Sequence, residues 1–253
     1  MTRILVTGGS SGIGAAIVKT LALEGCDVSF TYNKTVDALD YISKDLPAEA
    51  RVRLTPYKCD LGNEDEVSTL ANTLILPGEP FTGIVHAAGA TYDAPASMLK
   101  MDRAKQTMQV NFWSLVGLLN VLLQPMMRAR QGSVVVIGSV VAQSGSRGNS
   151  IYAASKAALE GYVRCLVDEA GRRQVTVNII APGYIDTPMI AQLKEQPGYM
   201  AQMEGRRPRV PQARTGEPQE VADLVAFLLS DKARYINGAT LTIDGGMTAT
   251  VGF

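Results

Sequence analysis

Seven short runs of apolar and β-branched residues alternate with longer segments of helical period along the whole chain. The runs are Arg3–Thr7, Asp27–Tyr32, Arg51–Lys58, Gly83–His86, Ser133–Ile137, Val175–Ile180 and Thr240–Ile243. Between them lie helical candidates at Ile13–Glu24, Val36–Leu46, Glu64–Leu74, Met98–Arg130, Ile151–Gly171 and Gln219–Ser230. Strands this apolar need cover on both faces. Strict alternation of β and α with right-handed crossovers leads to one architecture, a doubly wound parallel sheet. The expected fold is α/β, seven parallel strands with helices on both faces, forming a single domain over residues 1–253. In such sheets ligands bind beyond the carboxyl ends of the strands, near the point where strand order reverses.

Composition narrows the function classes. Lys+Arg and Asp+Glu both number 24, a balance that argues against a dedicated nucleic-acid binder. The cysteines Cys26, Cys59 and Cys165 are scattered and contain no C-x-x-C pair, and there is one histidine, so neither a disulfide framework nor a metal site is expected. The short apolar start is stopped by Gly8 and Gly9, which excludes a signal peptide, and no run of about 18 apolar residues reads as a membrane span. Together these point to the cytoplasm.

The first strand runs into Thr7-Gly8-Gly9-Ser10-Ser11-Gly12-Ile13-Gly14 and then a helix. Gly8 suits a tight turn, Gly12 a close backbone approach to a pyrophosphate and Gly14 close packing of the helix on its strand. The helix start offers free N–H groups and the positive end of the dipole to a phosphate. Ser10, Ser11 and Ile13 line the same turn. The context is that of a Rossmann-type dinucleotide site, although the spacing is G-x-x-x-G-x-G. Thr-Gly-x-x-x-Gly-Ile-Gly near the start of a chain resembles the short-chain dehydrogenase/reductase family.

The second strand ends Thr31-Tyr32-Asn33-Lys34, with no acid before Asp37. An acid there would hold a ribose 2′-hydroxyl and repel a 2′-phosphate. Its absence favours NADP(H), with charge from Lys34 and hydrogen bonds from Thr31 and Asn33, although Lys34 also reads as a solvated loop lysine. The resemblance implies that Asp60 and Leu61 meet the adenine. It also sets His86-Ala87-Ala88-Gly89 where the family has Asn-Asn-Ala-Gly, with Ala87, Ala88 and Gly89 walling the cofactor. His86 ends a buried strand and is expected only to hydrogen-bond locally.

Tyr152 and Lys156 lie four apart on a helical segment and so share a face. A free tyrosine titrates near ~10, and a neighbouring ammonium lowers that value. Tyr152 can then protonate a carbonyl oxygen under reduction while Ser139, at the end of strand five, holds the same oxygen. The resemblance adds that Lys156 holds the nicotinamide ribose and that Asn111 anchors a water in the proton relay. It further implies that Pro182 and Gly183 shape a turn against the nicotinamide, with Ile185 and Thr187 on its carboxamide.

Residues Pro188–Gly216 read as a lid over the substrate. Within the family, Gln124–Gly132, Ser139-Val140-Val141, Arg172-Arg173 and the Asp244–Met247 tail resemble 3-oxoacyl-[acyl-carrier-protein] reductases. That resemblance implies an acidic carrier protein docked on Arg130 and Arg173, which also read as cations at helix C-termini. Apolar faces at Trp113, Leu115, Leu118, Leu119, Leu122 and Leu166 exceed what one sheet covers, and the resemblance implies a homotetramer or a homodimer. Two rival functions stay open: a dehydrogenase of small alcohols, sugars or steroids, and a catalytically idle NADPH-binding protein.

Overall fold

The computed structural model describes residues 2–35, 37–75, 80–190 and 210–249. Its sheet has seven parallel strands: β1 (Arg3–Thr7), β2 (Asp27–Tyr32), β3 (Leu54–Lys58), β4 (Gly83–His86), β5 (Gly132–Ile137), β6 (Val175–Pro182) and β7 (Thr240–Ile243). Their order is β3-β2-β1-β4-β5-β6-β7. The chain therefore winds outward from β1 to β3, crosses back and winds the other way from β4. β1 pairs with both β2 and β4, so the switch point opens at the carboxyl ends of β1 and β4.

Period-two alternation feeds two cores. Ile4 and Val6 of β1 and Val135 of β5 enter one cluster with Ile17, Val18, Leu21, Val221 and Val225. Those partners come from α1 (Gly12–Leu23) and from a helix near the C-terminus, Pro218–Leu229. Leu5, Val134 and Val136 enter the other cluster, with Leu70, Leu115, Leu118, Leu122, Leu159 and Val163. Those residues belong to Glu64–Ile75, to Ser150–Gly171 and to the long helix Met101–Ala129. Alternate residues of each strand thus pack on opposite layers, as a sheet covered on both faces requires.

Several boundaries differ from the sequence reading. The second helix shrinks to Ala38–Ser43, and Pro47 begins a separate turn at Ala48–Arg51. Proline has no N–H and cannot continue a preceding helix, so β3 starts at Leu54 rather than Arg51. The expected helix Met98–Arg130 starts at Met101 and contains a π turn at Gln109–Trp113. It ends where Arg130 takes φ 53°, a left-handed cap. β6 runs on to Pro182, because its last residues pair with Thr242 and Ile243 of β7.

The helix Met101–Ala129 has mean hydropathy 1.3 over its most apolar stretch, more than the sequence reading allowed. A little under half of that stretch is buried within the chain. Leu115, Leu118, Leu119, Leu122 and Leu166, expected as surplus surface, are buried within the single chain, whereas Trp113 stays half exposed. Of the expected lid, residues 191–209 lie outside the described residues.

Candidate active site

One cleft of about 680 Å³ opens beyond β1 and β4. It gathers Gly8, Ser10, Ser11, Gly12, Ile13, Gly14, Thr31, Asn33, Lys34, Asp60, Leu61, Ala87, Ala88, Gly89 and Thr187, residues from five separate stretches of chain. The cleft also takes in Arg103, Val110 and Met189, which the sequence reading missed. Only tertiary packing reveals Arg103, whose guanidinium lies over the Tyr92 ring at 5.6 Å.

The floor of the cleft is the glycine turn. Gly8 has φ 67°, and a Cβ there would come within 2.7 Å of the Ala88 backbone. A side chain at Gly14 would collide with the Gly8 carbonyl, so the close packing is of the helix on the turn itself rather than on the strand. Ser11 caps α1 without a side-chain bond, and the first turn carries no acid. The helix N-terminus is thus left open toward the cleft, with N–H groups and a dipole that suit a pyrophosphate. Breadth, glycine floor and open helix end fit a dinucleotide.

At the end of β2 the structure separates the three expected phosphate contacts. Thr31 is buried, and its hydroxyl accepts the Gly8 N–H at 2.9 Å. It shapes the glycine turn while also lining the cleft. Asn33 and Lys34 are exposed at the rim, and Thr35 donates to the Ser10 hydroxyl at 3.1 Å. Across the cleft one Asp60 oxygen accepts the Gly62 N–H at 2.9 Å, which fixes the carboxylate in an Asx turn.

The reacting groups adjoin the cleft at Gly89, where an added Cβ would lie 3.6 Å from Lys156 Nζ. Tyr152 is in the first turn of Ser150–Gly171 and Ser139 follows β5, with the Ser139 side chain close enough to act on the Tyr152 phenol. Lys156, 3% exposed, donates from Nζ to the Ile137 carbonyl at 2.8 Å and lies 5.7 Å from the Tyr152 ring centre. Burial brings the Lys156 pKa down to about 8, so it is mostly cationic at neutral pH. The Tyr152 phenol is pushed up, chiefly by burial; the nearby Ser139 side chain opposes the rise and the Asp93 carboxylate adds to it. This corrects the expectation of a lowered tyrosine: the ammonium is turned onto a carbonyl, and desolvation dominates.

Asn111 sits in the π turn and is completely buried. Its Nδ2 donates to the Ala90 carbonyl at 3.0 Å and to Ser155 Oγ at 2.8 Å, and its Oδ1 accepts the Ala90 N–H at 2.7 Å. Ser155 in turn donates to the Tyr152 carbonyl at 2.7 Å. Both side-chain N–H groups are spent on clamping the loop after β4 to the tyrosine helix. A water anchored here would meet an oxygen of Asn111, not its amide N–H groups.

After β6, Ile185 is buried and bridges to Gly216, and Thr187 stands over Gly12 in the cleft. Pro182 and Gly183 serve the sheet: the Pro182 carbonyl accepts the Val140 N–H, and Gly183 donates to Ile243. A Cβ on Gly183 would come within 2.7 Å of Asp244, so the space left by the glycine is filled by the protein itself. Arg130 and Arg173 follow the C-terminal ends of their helices, and both are exposed. The helix Ser150–Gly171 has 22 residues, which sets Arg173 about 30 Å from Tyr152 at 1.5 Å per residue. Among the described residues no group of three or more His, Cys, Asp and Glu is placed to hold a metal ion.

A family model described as enoyl-(acyl carrier protein) reductase matches residues 8–248. The 3-oxoacyl-[acyl-carrier-protein] reductase FabG of Pseudomonas aeruginosa is 38% identical over 244 residues, covering 96% of each chain. This chain belongs to the short-chain dehydrogenase/reductase family. The FabG of Escherichia coli K12 is 36% identical over 255 residues, again with 96% of each chain covered. Among solved structures, levodione reductase superposes with a TM-score of 0.89 at 28% identity, covering 99% of this chain and 98% of that one. The chain is thus an oxidoreductase similar to 3-oxoacyl-[acyl-carrier-protein] reductases, of a family that works with a nicotinamide cofactor. It departs from the family pattern at His86-Ala87, where two asparagines are expected; the Ala88-Gly89 half of that motif still lines the cleft.

Proposed function

We propose that the protein is an NADPH-dependent reductase of 3-oxoacyl thioesters, taking its substrate from an acyl carrier protein in fatty-acid or related acyl and polyketide biosynthesis. The observation that carries this reading is the buried Lys156 ammonium beside the Tyr152 ring, with Ser139 close to the phenol and Asn111 clamping the tyrosine helix through Ser155. When bound, the reduced nicotinamide supplies hydride to the carbonyl carbon. Ser139 and Tyr152 hold the carbonyl oxygen, and Tyr152 gives it a proton. The raised phenol pKa keeps Tyr152 protonated at neutral pH, so it holds a proton to give, and the alkoxide formed is basic enough to take it. Lys156 steadies the phenolate that forms and holds the nicotinamide ribose. Asn111 keeps the tyrosine helix in place through Ser155.

Lys34 and Asn33 at the rim, with no acid at the end of β2, favour the 2′-phosphate of NADPH. Asp60 and Leu61 take the adenine, and Ile185 and Thr187 the carboxamide. Carrier docking on Arg130 and Arg173 is far from the cleft of the same chain, so it serves the cleft of a second copy in a homotetramer or homodimer. The half-exposed Trp113 and the partly exposed Val116 and Val121 beside it are the surface we assign to that assembly. The free thiols of Cys26, Cys59 and Cys165 suit a reducing, cytoplasmic setting.

The likeness to levodione reductase favours a second reading, reduction of small free ketones. A panel at fixed NADPH separates the candidates: an acetoacetyl-carrier thioester, the matching enoyl thioester and a free cyclic diketone. Turnover is expected on the oxoacyl thioester. Turnover on the diketone alone selects the second reading, turnover on the enoyl thioester alone makes the protein an enoyl reductase, and oxidation with none of them leaves an idle binding protein.

A further inference from the structure

The single histidine is completely buried at the end of β4, and the chemistry above does not use it. Both ring nitrogens are engaged. Nδ1 lies 2.9 Å from Thr7 Oγ1, and Nε2 lies 3.1 Å from the main-chain carbonyl of Asn111. A carbonyl only accepts, so Nε2 carries the proton. Nδ1 is then the acceptor and the Thr7 hydroxyl donates to it. The same hydroxyl accepts the Ala88 N–H at 3.2 Å. The result is one directed chain, from Ala88 through Thr7 and His86 to Asn111. It starts on the strand that feeds the glycine turn and on the wall of the cleft, and it ends in the π turn. Burial, aided by the Lys156 charge, brings the His86 pKa down to about 3, so the ring is neutral at working pH.

Asn111 has no side-chain N–H left to give, and its position is what sets the Ser155 and Tyr152 contacts. π turns carry a local shift in hydrogen-bond register and often mark functional sites. An outside donor is a direct way to fix a carbonyl in such a turn. We propose that His86 is a positioning residue of the catalytic centre: by donating Nε2–H to the Asn111 carbonyl it locks the Asn111–Ser155–Tyr152 clamp to the glycine turn. This role rests on the reductase reading above.

Two measurements test it. The first needs no activity: with ¹⁵N-labelled histidine in the tag-free chain, the spectrum holds one imidazole. A neutral ring protonated at Nε2 from pH 6 to 8 is expected; the Nδ1–H tautomer, or a ring that titrates in that range, overturns the proposal. The second uses His86→Gln, whose amide places a donor near Nε2, and His86→Asn, which reaches only the Thr7 side. For oxoacyl-thioester reduction, His86→Asn should lower kcat about 10- to 100-fold, while KM and NADPH affinity stay within about threefold. His86→Gln should recover most of the loss. Equal loss in both variants, tracking a fall in thermal stability, overturns the proposal, as does a fully active His86→Asn. Failure of the reductase reading shows itself separately, as a wild-type chain that turns over no carbonyl.

Discussion

Replacing Lys156 by methionine should abolish turnover and yet stabilise the ligand-free fold. Lys156 is 3% exposed and meets one acceptor, the Ile137 carbonyl at 2.8 Å. Its pKa falls from the usual 10.5 to about 8, which corresponds to about 3 kcal/mol of folding free energy lost by keeping the ammonium buried at pH 7. Methionine fills similar volume without a charge but leaves the Ile137 carbonyl unpaired, at a cost of about 1–2 kcal/mol. The net gain is about 1–2 kcal/mol, or a Tm higher by about 2–8 °C for a chain of this size. The sign of the pH dependence follows from the lowered pKa. Between about pH 8 and 10.5 the unfolded chain holds the proton and the folded chain does not, so wild-type stability rises with pH through that window. The advantage of Lys156→Met should therefore shrink by about 1 kcal/mol between pH 7 and pH 9. Thermal unfolding of both proteins, ligand-free at the two pH values, reads this directly. A variant less stable than wild type at pH 7, or a Tm difference that does not change with pH, would refute the reasoning.

Other consequences are open to simpler assays. Ser139→Ala should lower kcat about 10²-fold or more with NADPH binding unchanged, as measured by nucleotide fluorescence titration. Lys34→Glu should weaken NADPH binding about tenfold or more and leave NADH binding nearly unaffected, which competition titrations would show. Charge reversal at Arg130 and Arg173 should raise KM for a carrier-bound substrate and not for a small thioester analogue; equal effects on both would remove the docking role. Cys59 lines the cofactor cleft, but burial, with Glu66 and Asp60 nearby, pushes its pKa to about 11. Iodoacetamide at pH 7.5 should therefore leave activity intact over a time that alkylates the exposed Cys165, as followed by mass spectrometry.

β1, β2, β4 and β7 have the boundaries read from the sequence, because each is an apolar run whose neighbours stop it. β6 runs two residues beyond its local sequence signal, since pairing with β7 carries it through Ala181 and Pro182 and nothing nearby in the chain announces that partner. The glycine turn and the Tyr152–Lys156 spacing were legible because each is local to one element. What those side chains touch was not. Thr31 reads as a free hydroxyl until Gly8, 23 residues away in the chain, is seen to donate to it. The Asn111 clamp draws on Ala90 and Ser155, which lie 21 and 44 residues from it. The upward shift of Tyr152 likewise depends on burial and on Asp93, neither of which spacing reports.

If Tyr152 protonates a carbonyl held beside this cleft, removal of its hydroxyl alone must stop turnover. The most direct test is NADPH oxidation with a 3-oxoacyl thioester, wild type against Tyr152→Phe at matched concentration and with nucleotide binding measured in parallel. Wild type should give the 3-hydroxyacyl thioester, and the variant should lose about 10²- to 10⁴-fold in rate while NADPH still binds. A Tyr152→Phe protein that turns over at the wild-type rate would contradict that role for Tyr152.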